Sequence, residues 1–379
     1  MSLRPRRSSQ TVALCVALML PCMPAHGLVR WNEGKDQVFI TGSVSVAVDS
    51  NIYASSINES DTIYSYTIGA EYRRHAGLIG VNANVSITDS QFSTNSSESS
   101  INPNYRLEFT KDTGRTTGTL GFNAVRSNRA DPTEGVRTDS WRYGSDLNFR
   151  YPISERHSVT GGVRWSRIDY SDNDVFVDLD TYSLSADWFY VLSTQRDVFA
   201  GYRLRLLETA ADTSFADHSV SVGVSGRLLP GLNGNARVGY QIREALTGND
   251  ATYEGYNAAI SATWNFTRKI ALTGSVSKDF SITSRNVSTD TLSGNLDAQY
   301  ARTAKLLFAA GVGAGRIEFL GLEGANREDT FLTAYGRVAY TFSERLRLGL
   351  IYSYYRNWST SSFSDFDRHS VTFDASTRF

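Results

Sequence analysis

Polar and apolar residues alternate along almost the whole chain. The stretch Arg345 to Trp358 shows the pattern clearly: Leu346, Leu348, Leu350, Tyr352 and Tyr354 share one parity, and Arg345, Arg347, Gly349 and Ser353 the other. Successive side chains of a strand point to opposite faces, so this stretch predicts a strand with one apolar and one polar face. The signature starts at Gln37–Asp49, where Val38, Ile40, Val44, Val46 and Val48 oppose Thr41, Ser43, Ser45 and Asp49. It continues through Thr62–Arg74, Leu78–Thr88, Tyr105–Lys111, Thr116–Arg126, Trp141–Tyr151, Ser158–Tyr170, Thr181–Leu192, Asp197–Leu207 and His218–Leu228. Asn235–Ala245, Glu254–Phe266, Ile270–Phe280, Thr291–Ala301, Lys305–Ile317, Phe331–Phe342 and Asp367–Phe379 complete the set. The expectation is about 18 strands, or about 16 if weak segments such as Tyr105–Lys111 drop out.

The connections alternate in kind. One set is tight: His75–Gly77, Asp112–Arg115, Pro152–His157, Ser193–Arg196, Leu229–Gly234, Thr267–Lys269, Arg302–Ala304 and Ser343–Glu344. The other is longer and rich in Ser, Asn, Asp and Gly: Ser50–Asp61, Asp89–Asn104, Ser127–Ser140, Ser171–Asp180, Glu208–Asp217, Leu246–Tyr253, Ser281–Asp290, Glu318–Thr330 and Ser359–Phe366. Short turns alternating with longer loops mark an outer-membrane barrel, with turns in the periplasm and loops outside. An apolar outer face over so many strands, with no helix pattern to cover it, has lipid as its solvent. Closure into a ring then leaves no unpaired edge. Aromatic residues fall at strand ends, with Tyr72, Tyr151, Tyr190, Phe266, Tyr300 and Phe342 on the turn side and Tyr64, Trp141, Tyr182 and Tyr354 on the loop side. Two such girdles are expected at the two membrane interfaces. The fold class is therefore all-β, a transmembrane antiparallel up-and-down barrel in a bacterial outer membrane, with the lipid bilayer as its first partner.

Composition agrees. The chain has 379 residues, 12% of them aromatic, a formal net charge of −1 and a mean hydropathy of −0.30. That is too polar for a bundle of membrane helices, and no basic tail or patch points to nucleic acid. Arg4, Arg6 and Arg7, then Thr11 to Leu20, then Ala25 and Gly27 have the form of a signal peptide over residues 1–27. The barrel domain is then 28–379. Cys15 and Cys22 both fall in the signal, so the mature chain is expected to lack disulfides, thiolate metal sites and cysteine nucleophiles. No cofactor is implied.

Two stretches resemble known patterns. The last strand alternates Val371, Phe373, Ala375, Thr377 and Phe379 outward, and the chain ends on Phe379. It resembles the C-terminal assembly signal of outer-membrane barrels, which implies insertion by the barrel-assembly machinery, with Phe373 and Phe379 as the signal residues. Val44 to Tyr72 carries VSVAVDSNIYASS and then ESDTIYSYTIGAEY. It resembles the opening of the β-barrel porin 2 family, in which a strand ending in an Asp-Ser-Asn-Ile/Val-Tyr/Phe stretch, a Ser-rich loop and a Ser-Asp-Thr-Ile-Tyr strand recur. The resemblance implies an outer-membrane porin, and export of exopolysaccharide, with which some proteins similar to the family are associated.

The inward parity gives the candidate lumen. Arg142, Arg164, Arg203, Arg205, Arg237 and Arg337, with Asp146, Asp187 and Asp297, are the pore-lining candidates. Arginine outnumbers acid on these faces, which predicts a field favouring anions or acidic saccharides; an internal salt-bridge network is the alternative reading. Gly311, Gly313 and Gly315 are expected to leave their wall bare, and a folded loop such as Asp89–Asn104 or Ser127–Ser140 to narrow the pore. Asp172, Asp174, Glu323 and Asp329 are loop acids with weak calcium character. His157, His218 and His369 each precede a serine, but strand neighbours face opposite ways. The expected function is a porin passing small polar or saccharide solutes. A non-conducting structural barrel and a barrel enzyme are the alternatives.

Overall fold

The computed structural model describes residues 29–32, 35–75, 77–171, 175–247, 252–321 and 327–379. The expected signal peptide with Cys15 and Cys22, and the loop acids Asp172, Asp174 and Glu323, lie outside the described residues.

Nineteen strands form one antiparallel sheet. A stub, β1 (Val29–Trp31), precedes β2 (Asp36–Asp49), β3 (Asp61–Arg74), β4 (Gly80–Phe92), β5 (Ser100–Lys111), β6 (Thr117–Asp131), β7 (Val136–Pro152), β8 (His157–Tyr170), β9 (Leu179–Ser193) and β10 (Arg196–Thr209). The second half holds β11 (Ser214–Leu229), β12 (Leu232–Ala245), β13 (Tyr253–Asn265), β14 (Ile270–Ile282), β15 (Ser288–Ala301), β16 (Leu306–Phe319), β17 (Glu328–Thr341), β18 (Leu346–Ser359) and β19 (Phe366–Arg378). From β2 onward each strand pairs with its sequence neighbours, and β19 pairs with β2 from Ser370↔Asp49 to Arg378↔Thr41. The ring is thus closed by the eighteen strands β2 to β19. The 16-strand alternative is excluded, because Tyr105–Lys111 is the second half of β5, which pairs with both β4 and β6.

The seam is finished by Phe379 and by β1. Phe379 exchanges backbone hydrogen bonds with Ile40 at 3.0 and 2.9 Å. Where β19 stops, β1 takes over the same edge of β2 and pairs Val29↔Val38 to Trp31↔Asp36. Trp31 stacks on Tyr72, with ring centroids 5.9 Å apart. Phe373 points outward and is 50% exposed on the bare protein, while Phe379 lies under the guanidinium of Arg345.

The outer face meets lipid. Val46, Ile68, Val85, Leu147, Val163, Leu184, Val222, Leu296, Val312 and Leu350 are all exposed there. On β18 the apolar run Leu346 to Tyr354 spans nine positions. At about 3.3 Å per residue and a tilt of about 40°, that is about 23 Å, close to the roughly 25 Å lipid band of such barrels. Above it the outward positions become charged: Arg126 with Asp139, Arg167 with Asp180, Lys278 with Asp290, and Arg316 with Glu328.

Two predicted loops need correction. In place of Asp89–Asn104, β4 runs to Phe92 and β5 begins at Ser100. Ser127–Ser140 is mostly strand, with a tight turn at 132–135 between β6 and β7. Above the lipid band the ladder continues in water, where neither face need be apolar. The alternation that marks a strand in sequence is therefore lost while the hydrogen bonds persist.

Leu350→Arg, near the middle of the apolar run on β18, is expected to lower folding stability in lipid vesicles by about 2–4 kcal/mol. Denaturant titration of the vesicle-embedded chain measures it, and an unchanged midpoint would place β18 outside the lipid.

Candidate functional site in the barrel lumen

The strand parity that gives lipid Val, Leu and Tyr gives the lumen Ser, Asn, Asp, Arg and Gly. All nine candidates lie on this inner face, as their cross-strand partners show: Arg164 sits opposite Asp146, Arg203 opposite Ser185 and Ser219, and Asp297 opposite Gly311. The structure separates them into two kinds of wall.

On β9 to β14 the arginines are paired. Arg237 Nη2 donates to Asp187 Oδ2 at 2.7 Å. Arg203 Nη2 donates to Asp279 Oδ1 at 3.0 Å. Arg205 joins Asp217 at 2.5 Å and Asp279 at 3.3 Å. Arg243, with no exposed side-chain surface, makes a fork on Asp217 at 2.7 and 2.8 Å and lies between the rings of Phe215 and Phe280. Below these pairs, Asp187, Arg203, Ser219, Arg237, Asn257 and Asp279 line a recess of about 280 Å³. Each of these four arginines has a carboxylate partner. The far wall is similar: Asp297 accepts from Tyr335 at 2.7 Å, and Arg337 faces Asp374 at 3.9 Å.

On β5 to β8 the upper inward arginines are unpaired, although Arg150 nearer the turns reaches Asp197 at 3.3 Å. Among the described residues, Arg106, Arg129, Arg142 and Arg164 make no ion pair. The recess beside them, about 410 Å³, is lined by Asn123, Arg142, Gly144, Asp146, Arg164 and Ser166. Arginines without an ion pair on the inner face thus cluster on this wall.

The glycines were misread. Gly311, Gly313 and Gly315 do not leave a bare wall, because neighbouring side chains lie down across them. Tyr335 and Asp297 cover Gly311, Asn295 and Thr333 cover Gly313, and Phe331 covers Gly315. Asp187 over Gly201 and Asp374 over Gly349 repeat the device. A missing Cβ lets a carboxylate or ring lie flat on the ladder, which keeps the lumen open while its polar atoms stay bonded.

The extracellular mouth is bridged by the tip of the β6–β7 hairpin. It contacts the loop between β14 and β15, eight strands further around the ring and so nearly opposite. Arg285 Nε reaches Glu134 at 2.9 Å, and Ser284 Oγ reaches Asp131 at 3.4 Å. Arg327 donates to the Thr133 carbonyl at 2.6 Å, to Asp329 at 2.7 Å, and lies over the rings of Phe319 and Phe363. The loop between β2 and β3 closes the group, since Ser55 packs at Gly135 and Ile52 is fully buried. The Ser127–Ser140 segment thus crosses the mouth as a hairpin tip rather than as a long loop. Asp329, read as a loop acid, is spent on Arg327 and Ser359.

Sequence reading passed over Asp217, Asp279, Arg327 and Arg368. Asp217 and Asp279 each continue the inward parity of Ser219 and Ser277 by one more step, so that signal was present. Arg368, which forks onto Asp49 across the seam, required knowing that β19 meets β2. His218 and His369 bond Tyr202 and Tyr352 through Nδ1 at 2.7 and 2.8 Å on the outer face, away from their serines.

Two outcomes follow from this geometry. Asp217→Ala strands the fully buried Arg243 and leaves Arg205 with Asp279 alone, so a loss of about 3–5 kcal/mol in denaturant unfolding is expected, with Asp217→Asn milder. The second concerns Glu134. Burial holds its carboxyl above the ordinary 4.5, against the pull of Arg285, with Asp131 and Asp329 adding repulsion and Arg327 attraction. The bridged hairpin then binds this proton more tightly than an opened, solvated one. Bridging is favoured below the ordinary value and weakens as pH rises through the raised one. Amide exchange at Thr133 to Gly135, corrected for intrinsic rates, should be slower at about pH 5 than at about pH 8. Faster exchange at the lower pH would mean that the Arg285 pair dominates instead.

A family model described as "Putative beta-barrel porin 2" matches residues 39–379. Among solved structures, OpdK of Pseudomonas aeruginosa with vanillate is similar at 11% identity and a TM-score of 0.52, over 90% of this chain and 99% of that one. OccK9 (OpdG) of the same organism shares 12% identity at a TM-score of 0.51, over 91% and 98% of the two chains. OpdL, also from Pseudomonas aeruginosa, shares 13% at 0.50, over 91% and 98%. At these identities the likeness is one of fold. No curated protein matches by sequence.

Proposed function

Because the chain belongs to the β-barrel porin 2 family of the bacterial outer membrane, we propose that its lumen carries small, polar, preferentially acidic solutes. The observation behind this reading is the inner face itself. It is polar on every strand, its carboxylates and rings lie flat over glycines, and uncompensated arginine gathers on one wall. An 18-stranded ring of this kind is wide enough to hold water, and a wall with free guanidinium groups raises the local concentration of anions. Exopolysaccharide is the larger cargo that the family resemblance suggests. A polymer passing through would require the β6–β7 tip to swing off the mouth.

That same tip supports a second reading, a barrel that does not conduct. Planar-bilayer recording of the purified chain separates the two. Stepwise currents with chloride favoured over potassium are expected. Silence at every voltage would favour the closed barrel, and a preference for potassium would remove the acidic-solute reading while leaving the channel.

A further inference from the structure

The unpaired arginines are not scattered. Arg106 on β5 lies in register with Asn123 on β6, which lies in register with Gly144 on β7. Arg142 is two residues above Gly144 on β7, and Arg164 on β8 pairs with Asp146, two residues below. At about 4.8 Å between strands and about 3.3 Å per residue, the three arginines surround Gly144 at backbone distances of about 7 to 10 Å. Gly144 is the floor, and the Asn123 amide rests directly on it.

Two acids border this ring, and neither makes an ion pair: Glu108, two residues below Arg106, accepts from Thr110 at 3.4 Å, and Asp146 is held away. Asp146 accepts from Asn148 Nδ2 at 3.1 Å, and its other oxygen lies over Gly121, 2.7 Å from where a Cβ would be. The missing side chain at Gly121 gives the carboxylate a place on the wall, so it makes no ion pair with Arg164 opposite. Arg142 Nε is buried with no acceptor. Burying a guanidinium donor without a partner is costly; Arg203 and Arg337 each have a buried, unbonded Nε as well, but each of them faces a carboxylate. Here, among the described residues, three cations without an ion pair lie together beside a recess of about 410 Å³.

We propose that Arg106, Arg142 and Arg164 around Gly144 form a binding site for a carboxylate-bearing, polyhydroxylated solute such as an acidic sugar. This deepens the channel reading and rests on it for its physiological role, though not for its test. Guanidinium forks match a carboxylate in two-toothed geometry. The Asn123 amide, the Ser166 hydroxyl and the flattened Asp146 carboxylate supply the mixed donors and acceptors that sugar hydroxyls need.

Saturation-transfer NMR on the detergent-solubilised full chain, with trigalacturonate and maltotriose as probes, tests the site without requiring conduction. Trigalacturonate should bind and maltotriose should not. Arg142→Gln and Arg164→Gln should each weaken trigalacturonate binding about tenfold, Arg142→Lys less, and Arg203→Gln on the paired wall by less than about twofold. Heat-modifiable gel mobility reports whether each variant is still a folded barrel. Unchanged affinity in folded Arg142→Gln and Arg164→Gln overturns the site, as does equal binding of maltotriose. Binding that behaves as expected in a chain silent in bilayers would keep the site and remove the channel reading.

Discussion

The structure depends on one constraint: in lipid, no backbone amide or carbonyl can be left unpaired. Eighteen strands satisfy it only if the last finds the first, and the β19–β2 seam is where that happens. The seam is held along its whole height. Phe379 and Ile40 exchange hydrogen bonds at the periplasmic end, Arg368 forks onto Asp49 at the other, and β1 covers the edge that β19 leaves below. Closure also fixes handedness of facing: once each residue is paired, a shift of one position would turn the lumen outward. The polar character of the interior follows from that parity.

Given the parity, the interior has an electrostatic problem of its own. Its charges sit in a narrow, partly desolvated tube, where an unpaired ion is costly and a paired one contributes little to transport. The two walls answer differently. On β9 to β14, Arg203, Arg205, Arg237 and Arg243 are each matched by Asp187, Asp217 or Asp279, so their guanidinium groups are held against the wall. On β5 to β8, Gly121 draws Asp146 aside and the guanidinium groups stay free. The same device, a glycine under an acidic side chain, serves both ends. Over Gly201 it presses Asp187 back while Arg237 still reaches it; over Gly121 it separates an acid from its cation. Whether a lumen wall is structural or solute-facing is decided here by where the glycines are, more than by how many arginines there are.

That distinction bounds what could be read from the chain alone. Facing is a local property with a period of two, so the inward set from Arg142 to Asp297 could be named from alternation. Pairing among inward residues is not local: Arg203 and Asp279 are 76 positions apart and Asp49 and Arg368 are 319. The glycine stripe Gly311 to Gly315 looked empty because the rings that fill it, Tyr335 and Phe331, come from the next strand. Ser127–Ser140 looked like a loop because its two faces are both polar, which is how a strand in water on both sides must look.

The hairpin built from that stretch shows why the mouth and the pore are best considered together. Its tip is anchored by groups from nearly opposite strands, and the anchors are of unequal kind. Arg327 binds the Thr133 carbonyl from a bed of two aromatic rings, a bond indifferent to pH. Glu134 is an acid buried beside other acids, with the half-exposed Arg285 as its near cation. A cover held only by ion pairs would loosen in acid. This one is held by a carbonyl and by a carboxyl that burial prefers neutral, so acid should seat it more firmly. The solutes that the free arginines would favour are anions, and acid also neutralises weak carboxylates. Both effects act in the same direction, so passage of carboxylates should fall with pH more steeply than their own titration requires.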